Sequence, residues 1–145
     1  MPTRTARTAW NGTLAEGSGQ VELSSSKAGT FEVNFPKRAA DDADGTTSPE
    51  ELVGAAHSAC YAMSLTNLIT KGGGTTESLE VTADVTLGPD PAGGFRLTGI
   101  TLTVVGEIDG MDETAFLAAA DEAKAGCPIS KALTGVDISL KASLA

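Results

Sequence analysis

Residues 47–74 read TSPEELVGAAHSACYAMSLTNLITKGGG, and both ends of the helix inside that stretch are marked by the residues themselves. Ser48 is placed to cap the start, Pro49 stands at the first helical position, and S-x-x-E forms a capping box in which Glu51 is expected to reach back to the cap amide. From Leu52 to Thr70 no residue carries a formal charge. Lys71 then sits beside the last carbonyls, and Gly72-Gly73-Gly74 stops the helix. The run is long enough to cross a bilayer, but His57, Ser58, Ser64, Thr66, Asn67 and Thr70 make a poor lipid-facing set. The expectation is a long helix buried on nearly all sides. Gly54, Ala55, Ala56, Ser58, Ala59 and Ala62 leave its surface thin, so a second helix or a second subunit is expected to pack closely there.

On either side of that helix the apolar residues alternate with a period of two. Val21 and Leu23 alternate with Gln20 and Glu22, and after SSSKAG the residues Phe31, Val33 and Phe35 alternate with Glu32 and Asn34, which predicts a hairpin. A shorter strand around Thr5 to Trp10 precedes it. Residues 79–87 set Leu79, Val81, Ala83, Val85 and Leu87 against Glu80, Thr82, Asp84 and Thr86. In 95–105 the apolar phase shifts between Leu97 and Ile100, and Gly99 marks a bulge. Val136, Ile138, Leu140, Ala142 and Leu144 form a last strand, with a helix and a short helix before it. Residues 36–48, PKRAADDADGTTS, read as an irregular loop. These elements predict an α+β fold over a single domain, 1–145, with an antiparallel sheet packed on the long central helix.

The chain has 145 residues, enough for one domain that buries roughly 70% of its unfolded surface without disulfides. With 10 basic and 19 acidic residues, a net charge of −9 disfavours nucleic acid and anionic membrane surfaces as partners. Arg4 and Arg7 are followed by Asn11, Gly12 and Thr13 rather than an apolar run, so no secretory signal is expected and the cytoplasm is the expected compartment.

Only 2 cysteines are present. Cys60 lies inside the uncharged helical run, and Cys127 opens GCPISK at a helix start. In a reducing compartment such a pair is catalytic, metal-bound or inert more often than a permanent cross-link. Local sequence favours Cys127 as the more acidic thiol, because free amides and the helix dipole lower a thiol pKa at a helix start. His57 lies one turn before Cys60, where it can serve as a base or as a hydrogen-bonded core group. Asp41, Asp42 and Asp44 have the D-x-D order of a calcium loop, but no bidentate glutamate follows at the required distance. The thiols lack C-x-x-C spacing, and no metal is expected.

Taken together, TSPEELVGAAHSACYAMSL and, sixty-seven residues after its cysteine, GCPISKAL resemble the osmotically inducible protein C and organic hydroperoxide resistance superfamily. The AAHSAC and CPISKAL forms are more similar to the first branch, and the resemblance covers nearly the whole chain. It implies a peroxidase that reduces organic hydroperoxides and hydrogen peroxide in stress defence. Cys60 would attack the peroxide and Cys127 would resolve it to an intramolecular disulfide. It also implies an arginine and a glutamate in the site, a homodimer, no bound cofactor, and an external dithiol reductant such as a lipoylated protein. Among Lys37-Arg38 and Glu50-Glu51, Arg38 is preferred because a planar guanidinium can hold a carboxylate and still donate elsewhere. Glu50 is preferred because Glu51 is engaged at the helix start; Lys37 is expected to be solvated.

Glu50 and Cys60 are ten residues apart, about 15 Å along a continuous helix. Either the helix breaks between them, or Glu50 of one chain faces Cys60 of another in an intertwined homodimer, which is the favoured arrangement. Tyr61, Met63 and Phe95 are candidates for an apolar lining. Two rival readings stand beside the peroxidase: a binding module whose cysteines line a groove between subunits, and a redox sensor whose disulfide alters a partner surface.

Overall fold

Period-two patterning in the sequence becomes six strands, gathered into two three-stranded sheets rather than the single sheet expected, and helices complete a mixed α+β fold. The computed structural model describes all residues, Met1–Ala145. Two compact units are present, Met1–Leu52 and Val53–Ala145.

The first unit is an antiparallel meander of β1 (Arg7–Asn11), β2 (Ser18–Glu22) and β3 (Thr30–Val33). The expected hairpin is therefore present, with Val21 opposite Phe31. Residues 36–48 are not wholly irregular, however. Asn34 accepts the Lys37 amide on Oδ1 at 2.8 Å and caps a short helix, α1 (Phe35–Arg38), with Pro36 in its first turn. Asparagine at a cap followed by proline near the first helical position is a legible start signal. The strand alternation ending on Phe35 masked it.

Helix α2 (Pro49–Lys71) opens at the end of the first unit. The Glu51 amide donates to Ser48 Oγ at 3.1 Å, so the cap forms as expected. Only half of the capping box forms, because the Glu51 carboxylate instead accepts from the Thr47 hydroxyl at 3.0 Å. At the other end Gly73 adopts φ +87°, and the Gly74 amide returns to the Ile69 carbonyl at 3.0 Å, which closes the helix as the glycine run predicts.

In the second unit β4 (Thr75–Pro89) and β5 (Phe95–Asp109) form a long antiparallel hairpin. A register shift opposite Thr86 and Leu87 brings Gly99 and then Leu97 into pairing, so the bulge lies where the apolar phase changes. Helices α3 (Glu113–Gly126) and α4 (Pro128–Ala132) carry the chain to β6 (Ile138–Leu144). β6 pairs with β5 in parallel, Leu102 opposite Leu140, which corrects the purely antiparallel sheet expected. A strand reached through a helical crossover can lie parallel to the strand it left, and the two intervening helices supply that crossover.

The core lies in this unit. Tyr61, Leu65 and Ile69 project from one stripe of α2 onto Leu102 and Val104 of β5 and onto Phe116, Ala119, Ala120 and Ala123 of α3. Burial of α2 follows that stripe rather than nearly all sides: Ala55, Ala56, Ala59, Thr66 and Asn67 are exposed, and Met63 is 71% exposed. Gly54 is buried by the close approach of β4, where an added Cβ would stand 3.0 Å from the Ala83 carbonyl oxygen.

Candidate redox site

Two pairs of the expected site residues come together, one in each unit. In the first, α1 presents Arg38 in its last turn and α2 presents Glu50 in its first. Arg38 donates from Nη2 to Glu50 Oε1 at 2.7 Å and from Nε to both carboxylate oxygens at 3.1 Å. Burial pushes the Glu50 carboxyl upward, but the Arg38 hydrogen bonds and charge outweigh it and hold the group below its ordinary range. Glu50 in turn pushes Arg38 further up, so both remain ionised. This pairing occupies Nε and one terminal nitrogen and leaves Nη1 to face another ligand. Beside Arg38 lies an apolar pocket of about 370 Å³, walled by Trp10, Leu14, Val21, Val33, Phe35 and Leu52. Lys37 is paired on the surface with Asp44 at 3.0 Å rather than free in solvent.

In the second unit Cys60 packs against the buried cluster that contains Cys127, and each thiol acts on the other. Both cysteines are free; Cys60 on α2 is half-buried, while Cys127 is 0% exposed. Cys127 closes α3, its amide donating to the Ala123 carbonyl at 2.9 Å, and also starts α4. It makes no strict capping hydrogen bond. Burial pushes the Cys127 thiol up, but the Ser130 amide, the Cys60 thiol, the Ile129 amide and the Ser130 hydroxyl all act on the large, diffuse sulfur and bring it below its ordinary value. Burial pushes Cys60 up, and the proximity of Cys127 adds to that rise. Acidity within one chain therefore favours Cys127, as local sequence predicts, whereas access from solvent favours Cys60.

Ser130, which the sequence reading passed over, also joins this cluster to His57. Its Oγ lies 2.7 Å from His57 Nε2, and both residues are buried. The GCPISK motif places Ser130 three residues after Cys127, but nothing local shows that it meets a histidine seventy-three positions earlier. Tyr61 proves to be core rather than lining: it is fully buried, and its hydroxyl donates to the Ala120 carbonyl at 3.0 Å. Met63 and Phe95 are exposed. No three His, Cys, Asp or Glu side chains are arranged to hold a metal ion.

Thus Arg38 is brought to Glu50, and Cys60 to Cys127. Along α2, Glu50 and Cys60 remain ten residues apart in an unbroken helix, about 15 Å of rise.

Comparison with known proteins places this arrangement. The family described as OsmC-like protein matches residues 41–141. Peroxiredoxin OsmC of Escherichia coli K12 is 37% identical over 124 residues, covering 86% of this chain and 85% of that protein. Organic hydroperoxide resistance protein OhrA of Bacillus subtilis is 37% identical over 97 residues, 66% of each. Among solved structures, an organic hydroperoxide resistance protein from Elizabethkingia anophelis superposes with a TM-score of 0.80 at 29% identity, over 100% of this chain and 98% of that one. From its paired cysteine motifs to its fold, the chain belongs to the OsmC-like protein family.

Proposed function

We propose that the chain, acting as a single OsmC-like domain over 1–145, is a thiol-dependent peroxidase that reduces organic hydroperoxides. The observation that carries this reading is the pair of free thiols in one packed cluster, one half-buried and one enclosed. The relatives named for peroxiredoxin activity and for organic hydroperoxide resistance support the substrate class.

The Cys60 thiolate attacks one peroxide oxygen, the O–O bond breaks, and the alkoxide leaves and is protonated to the alcohol. Cys60 is then a sulfenic acid. The Cys127 thiolate attacks the Cys60 sulfur, expelling hydroxide, which takes up a proton to become water and leaves an intramolecular disulfide. An external dithiol, such as a lipoylated protein, returns the pair to the reduced state. Such a cycle suits a reducing, cytoplasmic setting.

Cys60 has access but lacks a cation within its own surroundings, and the Arg38–Glu50 pair has a free donor edge without a thiol. A homodimer joined through the exposed face of α2 would bring Arg38 and Glu50 of one chain to Cys60 of the other. There the guanidinium would favour the thiolate and donate to the departing alkoxide, with Glu50 holding it in plane. The apolar pocket beside Arg38 would receive the organic group of the substrate.

The test is intact mass and free-thiol count after one equivalent of cumene hydroperoxide is added to reduced protein, with Cys60→Ser and Cys127→Ser alongside. The expected result is loss of two hydrogens in the parent, a sulfenic or higher oxide in Cys127→Ser, and no rapid reaction in Cys60→Ser. Retention of both thiols in the parent would leave a non-catalytic binding protein.

A further inference from the structure

The two-thiol cycle does not use His57, yet this is the one histidine of the chain and it is completely buried, one turn before Cys60. Its Nε2 stands 2.7 Å from Ser130 Oγ, while Nδ1 is buried with no partner at all. That asymmetry favours one tautomer. A buried N–H without an acceptor is rarer and costlier than a buried lone pair without a donor, so the ring proton belongs on Nε2. Nε2–H then donates to Ser130 Oγ. With an acceptor site of that oxygen occupied, the Ser130 hydroxyl proton is free to point elsewhere, and the Cys127 sulfur lies within its influence. Burial holds His57 below its ordinary pKa and so keeps the ring neutral. The titratable groups facing Cys127 from α2 are Cys60 and Tyr61, and Asp121 of α3 acts on Tyr61.

We propose that His57 and Ser130 form a buried donor relay, His57 Nε2–H to Ser130 Oγ–H to Cys127 Sγ, that presents Cys127 as a thiolate ready to attack oxidised Cys60. Ser130 stands at the third position of α4, the helix that Cys127 caps, and His57 is a positioning residue that aims the Ser130 hydroxyl. The relay moves no proton during the attack. It matters because a sulfenic acid that waits is exposed to a second peroxide, and the speed of resolution decides whether Cys60 survives the turnover.

The assignment rests on the two-thiol reading for its role in turnover, but the relay can be measured without peroxide. In a Cys60→Ser background, the ultraviolet absorbance of the Cys127 thiolate is titrated against pH, with Ser130→Ala, His57→Leu and His57→Gln added in turn. Glutamine can place an amide N–H close to the position of Nε2–H but cannot act as a base. Ser130→Ala and His57→Leu are expected to raise the Cys127 midpoint by about one to two pH units, the scale of one hydrogen bond to a charged group. His57→Gln is expected to restore most of the difference. An unchanged midpoint in folded Ser130→Ala protein would overturn the relay, and equal rises in His57→Gln and His57→Leu would overturn the positioning role. With both cysteines present, Ser130→Ala should slow disulfide formation about tenfold and increase over-oxidation of Cys60. Unchanged disulfide formation in that variant would likewise overturn it. Absence of any disulfide in the parent protein would instead reject the two-thiol cycle, with the thiolate titration still deciding the relay.

Discussion

Glu50 accepts three hydrogen bonds from Arg38, at 2.7, 3.1 and 3.1 Å, although the two residues stand at opposite ends of the segment that joins α1 to α2. The carboxylate fixes the plane of the guanidinium before any substrate arrives. Arg38→Ala should lower kcat/KM for an organic hydroperoxide by about 10²–10³, the loss expected when one preorganised donor is removed. Arg38→Lys should recover little, because an ammonium cannot hold a carboxylate and a substrate oxygen in one plane. Peroxide consumption under single-turnover conditions measures both, and an unchanged rate would remove Arg38 from the chemistry.

The same ion pair has a pH signature. The Glu50 carboxyl is lower in the folded chain than its ordinary value of 4.5, so its contribution to stability is present above that value and lost as pH falls through the folded value. Melting temperatures of the parent and Glu50→Gln should differ by a steady amount from neutral pH down to about pH 5 and converge below it. A gap that persists unchanged into strong acid would mean that the pairing does not stabilise the fold.

Chain mixing tests whether the site is shared between subunits. Co-refolding equal amounts of Arg38→Ala and Cys60→Ser chains should restore about a quarter of the parental rate, since half the dimers are mixed and each mixed dimer holds one complete site. Sites contained within single chains would give no recovery.

Gly54 is where α2 lies against β4, with the Ala83 carbonyl oxygen in the space a Cβ would need. Gly54→Val should therefore destabilise the second unit by about 1–3 kcal/mol through overpacking against rigid backbone. Urea denaturation would register the loss; wild-type stability would show that α2 can shift outward at no cost.

Much of this architecture is written locally. The ends of α2 follow from Ser48, Pro49 and three consecutive glycines, and the bulge at Gly99 follows from a change of apolar phase, because caps and pleats depend on near neighbours. The parallel pairing of β6 was less visible, since its strand pattern says which face is apolar but not which way the neighbour runs. Cys127 carried a local mark of acidity in the residues that follow it, and its surroundings agree. Ser130 did not stand out, because its partner lies on a distant helix and a serine inside a five-residue helix has no distinguishing pattern. Of the thin face of α2, Gly54 is covered by β4 of the same chain while Ala55, Ala56 and Ala59 stay exposed: composition reports that a surface can be approached, not which element or molecule approaches it.

In the proposed cycle the enclosure of Cys127 would also govern how the protein is recharged. Once the two sulfurs are joined, an incoming thiolate from solvent can reach only the outer one, so the transient mixed disulfide forms on Cys60 and the departing sulfur is Cys127. The more acidic thiol is then the leaving group, which is the direction in which exchange runs faster. In that cycle electrons would enter through the same mouth by which the oxidant came, and the inner sulfur would be regenerated without ever meeting the reductant.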